Sequence, residues 1–191
     1  NTAAQNIGAV WASQNASITS TTFSENSAGT GRTAALQVHG TLWLTETQWL
    51  GNQAAVSGGA LVHLGGNGRI VNSLFARNAG GAATFEHSGV VEMLHNTIVG
   101  PISPTSPALT VNASGSLAVQ NSIIGASPTG LNILAGTVTE VYNLFYATTA
   151  VSGTVTQGGH SYNGDPAFVD TASDNYHLSA NSEALNTGTA V

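Results

Sequence analysis

A chain with six histidines and nine acids but no lysine and no cysteine has few ways to do chemistry. Glu25, Glu46, Glu86, Glu92 and Glu140 are dispersed, and no aspartate precedes Asp165. Cutting a polysaccharide by elimination needs clustered carboxylates to hold Ca²⁺ and an Arg or Lys to take the sugar proton. Hydrolysis needs two carboxylates facing each other across the scissile bond. Neither set is visible. Glu25 or Glu46 meeting Arg69 or Arg77 reads more simply as a surface ion pair, and Asp165, Asp170 and Asp174 stand in turn-forming contexts. No catalytic residue is assigned and no cofactor is expected.

His39, His63 and His87 follow one another at steps of 24 residues. Either they form a column of imidazoles able to take a transition metal, or one polar turn position holds histidine three times. With no Asp or Cys to complete a coordination sphere, no metal site is assigned. Flat aromatic faces for sugar stacking are the remaining option. Trp49 falls among large apolar residues and belongs to the core. Trp43, flanked by Leu42 and Leu44, points the other way and is the candidate contact residue.

Bulk properties narrow the partners. Three arginines and a net charge of −6 cannot supply the basic stripe that nucleic acid requires, nor a dock for anionic lipid. Charged residues make up only 6%, against about 25% in an ordinary domain. No apolar run approaches the ~18 residues of a membrane span. The chain starts at Asn1 without Met or a leader and is read as a piece of a larger protein.

What positions these residues is a repeat. A polar column, Ser20, Glu46, Asn72, Asn96, Asn121 and Asn143, advances by 26, 26, 24, 25 and 22 residues. Two positions before it runs an apolar column: Ile18, Leu44, Ile70, Leu94, Val119 and Val141. Three positions after it runs another: Phe23, Trp49, Phe75, Val99, Ile124 and Tyr146. Within each repeat apolar residues alternate, as in Leu117-Ala118-Val119, which is the strand period. Short strands recurring in one direction at this spacing stack as parallel sheets. The expected fold is all-β: a right-handed, single-stranded parallel β-helix of six to seven coils with little or no helix. Repeats are placed near 9–32, 33–57, 58–79, 80–106, 107–130 and 131–150, with 151–191 as an end motif closing the solenoid. The polar column is expected to be a structural ladder of stacked side chains.

The segments Gly58-Gly59-Ala60-Leu61 and Gly80-Gly81-Ala82-Ala83, with Phe23-Ser24-Glu25-Asn26 and Phe75-Ala76-Arg77-Asn78, resemble the repeats of polymorphic outer membrane proteins. The stretch Gly164-Asp165-Pro166-Ala167-Phe168-Val169-Asp170, then Asn175-Tyr176-His177-Leu178, then Ser182-Glu183-Ala184-Leu185-Asn186-Thr187-Gly188, is similar to the end of choice-of-anchor Q domain proteins. This chain has Asn186-Thr187-Gly188 where that family has Asp-Ala-Gly. The resemblance implies a β-helix displayed at a cell surface and names no ligand.

The expected function is therefore contact outside the cell, in adhesion or surface display, with surface glycans or other surface proteins as partners. Alternatives are an extracellular filament or sheath built by end-to-end self-association, and a polysaccharide lyase or hydrolase.

Overall fold

The computed structural model describes residues 1–4, 7–55, 58–100, 106–147 and 149–190. Gln5 and Asn6, the expected repeat boundary at 57, part of the repeat placed at 80–106, and Thr148 lie outside the described residues. Strand follows strand in parallel, and the chain winds as a β-solenoid of about five turns. That is slightly fewer than the six to seven coils that the repeats predict, and the last rung is made of the short strands Thr149–Ser152, Thr156–Gln157 and Tyr162–Asn163. The helical content among the described residues is one 3₁₀ turn, Thr171–Ser173. No helix there is long and apolar enough to cross a membrane.

Three faces surround the core. The first stacks Val10–Ala12, Leu36–Val38, Leu61–His63 and Ala83–Phe85; the second stacks Ala16–Thr19, Leu42–Thr45, Gly68–Val71 and Val90–Leu94. The long strands Leu109–Gln120 and Thr129–Val141 run across the corner between them, with the register slipping at Asn112. The third face stacks Thr22–Ser24, Gln48–Leu50, Leu74–Ala76, Thr97–Val99, Ile123–Gly125, Leu144–Tyr146 and Tyr162–Asn163. Alternation along each strand sends one side chain in and the next out. Phe23, Trp49, Phe75, Ile98, Ile124 and Phe145 form one inward column, in register rung on rung. Ile18, Leu44, Ile70, Met93 and Val119 form another, which ends on the buried carboxylate of Glu140. The Glu140 carboxylate accepts a hydrogen bond from Asn143 Nδ2 at 3.1 Å.

The expected polar ladder is divided by the structure between two adjacent columns. Ser20, Glu46, Asn72, His95, Asn121 and Tyr142 share a left-handed backbone, φ between 46° and 56°, at the corner leading into the third face. Asn96 and Asn143 are one residue further along, in a buried column with Thr47, Ser73 and Ser122. The apolar columns slip with them in the fourth and sixth repeats: Met93, Ile98, Glu140 and Phe145 take the inward places expected for Leu94, Val99, Val141 and Tyr146. The cause is that asparagine suits both neighbouring positions. It tolerates the left-handed region better than most residues, and its amide can also replace a backbone partner inside. At this corner the N–H groups of Ser73 and Ser122 donate to Oδ1 of Asn96 and Asn143 one rung on. Asn96 and Asn143 return Nδ2 to the carbonyls of Ile70 and Val119.

A ladder of stacked amides does exist, at the next corner. Asn26, Asn52 and Asn78 are buried; Asn26 Nδ2 donates to Asn52 Oδ1 at 2.8 Å, Asn52 Nδ2 donates to Asn78 Oδ1 at 2.9 Å, and Asn78 Nδ2 ends the run on the carbonyl of Trp49.

Of the segment expected to close the solenoid, the first part forms the last rung. The last rung runs on to Asn163, and from Gly164 the chain doubles back as an arm along the outside of the third face. Three anchors hold it, one of them the Tyr162 hydroxyl, which hydrogen-bonds with the carbonyl of Glu183 and with Thr187 Oγ1. Arg77 makes a two-pronged ion pair with Asp174, at 2.8 and 2.6 Å. Asn121 exchanges a pair of hydrogen bonds with the backbone of Thr189, at 2.7 and 3.0 Å. Within the arm Asp170 caps the 3₁₀ turn by accepting from Ser173 and Ala172, which holds its carboxyl below the usual range. Asp174 leaves that turn at φ 58° and feeds the strand Asn175–Leu178, which pairs antiparallel with Phe168–Asp170.

The ion pair is half exposed, so it is worth about 1 kcal/mol. Asp174→Asn keeps the left-handed turn, which asparagine tolerates, and removes the charge. Hydrogen exchange of the strand Asn175–Leu178 should then rise about fivefold. Unchanged protection there would mean that the pair does not hold the arm.

Candidate cleft between the arm and the third face

Where the arm crosses the sheet it leaves a cleft of about 600 Å³ lined by Gln48, Asn72, Ser73, Leu74, His95, Thr97, Asp174, Tyr176 and His177. Its floor is the outward side of the third face. Its edge is the left-handed corner column, where φ near 50° turns the Asn72 and His95 side chains outward. Its roof is the strand Asn175–Leu178. A second cleft of about 440 Å³ lies on the other side of the anchor, lined by Arg77, Val99, Tyr146, Phe168, Tyr176 and neighbours. Tyr176 belongs to both. Its ring meets Phe168 edge to face at 5.5 Å, and burial together with Asp174 pushes its phenol up, so it stays neutral.

The lining has a definite chemistry. Amides, hydroxyls and imidazoles supply donors and acceptors, Tyr176 supplies an aromatic ring, and the one carboxylate is matched by Arg77. That pairing raises the Arg77 guanidinium above its ordinary value, mainly through the hydrogen bonds to Asp174. Such a surface suits a neutral, hydroxyl-rich ligand better than an ion or an oily one.

Of the residues singled out in the sequence, Asn72 stands in this cleft, and Asn121 beside a smaller one of about 190 Å³ further along the arm. Ser20 and Glu46 continue the same corner column toward the start of the chain, joined by a 3.1 Å hydrogen bond. Asn96 and Asn143 are interior. Trp43 points outward and is 48% exposed, but on the second face, level with Ser17 and Arg69. Trp49 is fully buried.

Arg69 pairs with Glu92 and Arg77 with Asp174 rather than with Glu25 or Glu46, and Arg32 pairs with Glu86. His95 and His177, to which the sequence assigned no contact role, also line the cleft; His95 stands beside the Asn column, and His177 lies within the Asn175-Tyr176-His177-Leu178 segment of the end motif.

The histidine column is not formed. His39 is exposed, with its ring against the exposed Trp11, whereas His63 and His87 are buried together. Among the described residues no group of three or more His, Cys, Asp or Glu is placed to hold a metal.

Comparison of the chain with protein-family models, curated proteins and solved structures returns no match in any of the three. What stands is the fold, a parallel β-solenoid.

Proposed function

We propose that this chain is a non-catalytic display module working outside the cell, and that the cleft under its C-terminal arm holds a neutral glycan. The observation that carries the reading is the cleft itself: a large groove with polar lining, one aromatic ring in reach and a single carboxylate already paired. Sugars present hydroxyls that need both donors and acceptors, and ring faces that pack on aromatic groups. A rigid scaffold of stacked rungs keeps those groups in place. The repeats that resemble polymorphic outer membrane proteins, and an arm that resembles the end of choice-of-anchor Q domain proteins, support display at a surface.

The test is an array of neutral and acidic oligosaccharides probed with the purified chain, followed by titration of what it retains. Neutral oligosaccharides should be retained. Gln48→Ala combined with His177→Ala should weaken binding at least tenfold, or about 1.4 kcal/mol, and Trp43→Ala should leave it unchanged. Loss of binding with Trp43→Ala alone would move the contact surface to the second face. Release of reducing or unsaturated sugars would replace display with catalysis.

End-to-end assembly is the second reading. Ile18 and Phe23 of the first rung pack on the core from one side and are only partly buried, and Val10 and Trp11 beside them are exposed. A further rung would cover them.

A further inference from the structure

The cleft beyond the Arg77–Asp174 anchor differs in chemistry from the one proposed for glycan. Its volume is about 440 Å³, and three aromatic side chains line it: Tyr146 from the third face, and Phe168 and Tyr176 from the arm. Tyr146 is available because of the one-residue slip in the sixth repeat. Phe145 takes the inward place, and Tyr146 is turned outward and left 49% exposed. Its neighbour one rung back is Gly125, with Val99 next beyond. A Cβ on Gly125 would stand 3.4 Å from Tyr146 Cδ1, so the ring leans over the bare glycine toward Val99.

Phe168 and Tyr176 sit on the two paired strands of the arm and meet edge to face at 5.5 Å, with their planes 82° apart. With the planes nearly perpendicular, a guest beside the pair meets the face of at least one ring. The aliphatic part of the wall comes from Val99, Ala126 and Pro166.

The charges around this cleft do not cancel. Arg77 lines it, but Nε and a terminal nitrogen of its guanidinium are taken by the Asp174 carboxylate, and that pair is neutral as a whole. Asp165 lines it too, is exposed, and among the described residues enters no ion pair. Its Oδ1 accepts from the N–H of Ala167 at 2.8 Å, which fixes the carboxylate at the elbow where the arm begins. The balance is one negative charge beside three rings.

We propose that this cleft binds a quaternary ammonium group, such as that of choline. A cation of this kind is drawn to the faces of aromatic rings and to the carboxylate, and its methyl groups pack against the aliphatic wall. It carries no N–H donors, so the scarcity of acceptors in the wall does not count against it. A metal ion or a primary ammonium holds its water more strongly, and one exposed carboxylate cannot replace that hydration.

The experiment is titration of the whole chain with choline, read by calorimetry and by saturation-transfer NMR of the ligand methyl groups. Choline should bind about tenfold more tightly than dimethylbutanol, its uncharged isostere with carbon in place of nitrogen. That comparison needs only the wild-type chain. Tyr146→Ala, at a half-exposed position, should weaken choline about tenfold, and Tyr146→Phe should retain it. Asp165→Asn keeps the acceptor for Ala167 and should weaken choline about threefold. Gln48→Ala combined with His177→Ala should leave it unchanged, so this site and the glycan cleft stand or fall separately. Sedimentation with phosphatidylcholine vesicles separates two sources of the group. Retention that choline displaces supports a lipid headgroup, and choline binding without retention supports a free small molecule. Equal affinity for choline and dimethylbutanol would overturn the proposal and leave a merely apolar cleft. No binding at about 10 mM choline, or binding unchanged by Tyr146→Ala, would overturn it as well.

Discussion

Replacing Asn52 by alanine should lower the melting temperature by about 10 °C. The amide of Asn52 makes four hydrogen bonds. Its Oδ1 accepts from the backbone N–H of Asn26 at 3.1 Å and from Asn26 Nδ2 at 2.8 Å. Its Nδ2 donates to the carbonyl of Phe23 and to Asn78 Oδ1, both at 2.9 Å. Truncation therefore removes the bonds and also strands a buried N–H, a carbonyl and part of two further amides. Each buried group left unsatisfied costs about 1–3 kcal/mol, and relaxation of the corner recovers some of that, so a net loss of about 3–5 kcal/mol is expected. Thermal melting followed by circular dichroism measures it. A fall of less than about 3 °C would show that water reaches this corner and that the amide column carries little.

This amide column also shows what periodicity reveals and what it conceals. The spacing near 25 residues and the strand-like alternation were enough for a parallel β-solenoid, because only stacking in register buries every inward side chain of such a pattern. They also placed Trp43 outside and Trp49 inside. The finer register was not legible. Asn72 and Asn121 hold a left-handed corner, Asn96 and Asn143 fill the buried position beside it, and one residue type serving two physical needs concealed a one-residue slip. The Phe-x-x-Asn segments ending in Asn26 and Asn78 were visible as a motif, yet only the structure shows their amides hydrogen-bonding from rung to rung.

The histidines misled for a related reason. A step of 24 looks like one coil, but the third and fourth coils are 22 residues apart on the first face, Leu61 lying beside Ala83. His87 thus falls two places beyond Phe85, the partner of His63, while His39 falls one place beyond Val38 and turns outward. The cleft was the least legible feature. It depends on Arg77 meeting Asp174 and Asn121 meeting Thr189, partners 97 and 68 residues apart that no local pattern connects.

Trp49→Ala should have an effect of similar size by a different route. The Trp49 ring is stacked between Phe23 and Phe75, at 4.3 and 5.4 Å with planes within 12° of parallel. Its Nε1 donates to Thr47 Oγ1 at 2.9 Å, and Thr47 is joined in turn to Ser73. Truncating a fully buried tryptophan costs about 3–5 kcal/mol through lost burial and the cavity left behind, which in a chain of this size lowers Tm by about 10 °C or more. Trp43→Ala, at an exposed position, should change stability by no more than about 0.5 kcal/mol. Fluorescence separates the two cleanly, since the blue-shifted emission of a dry indole should vanish only with Trp49. The consequence reaches the proposed glycan site. Gln48 is the residue before Trp49 on the same strand and points outward into the cleft, as Leu74, the residue before Phe75, does on the next rung. The aromatic stack inside therefore sets the spacing and level of the cleft floor outside. A Trp49→Phe variant, which keeps a ring in the stack, should lose less stability than Trp49→Ala and retain glycan binding. If Trp49→Ala bound glycan as tightly as the wild type while melting far lower, the floor would be positioned by the backbone ladder alone.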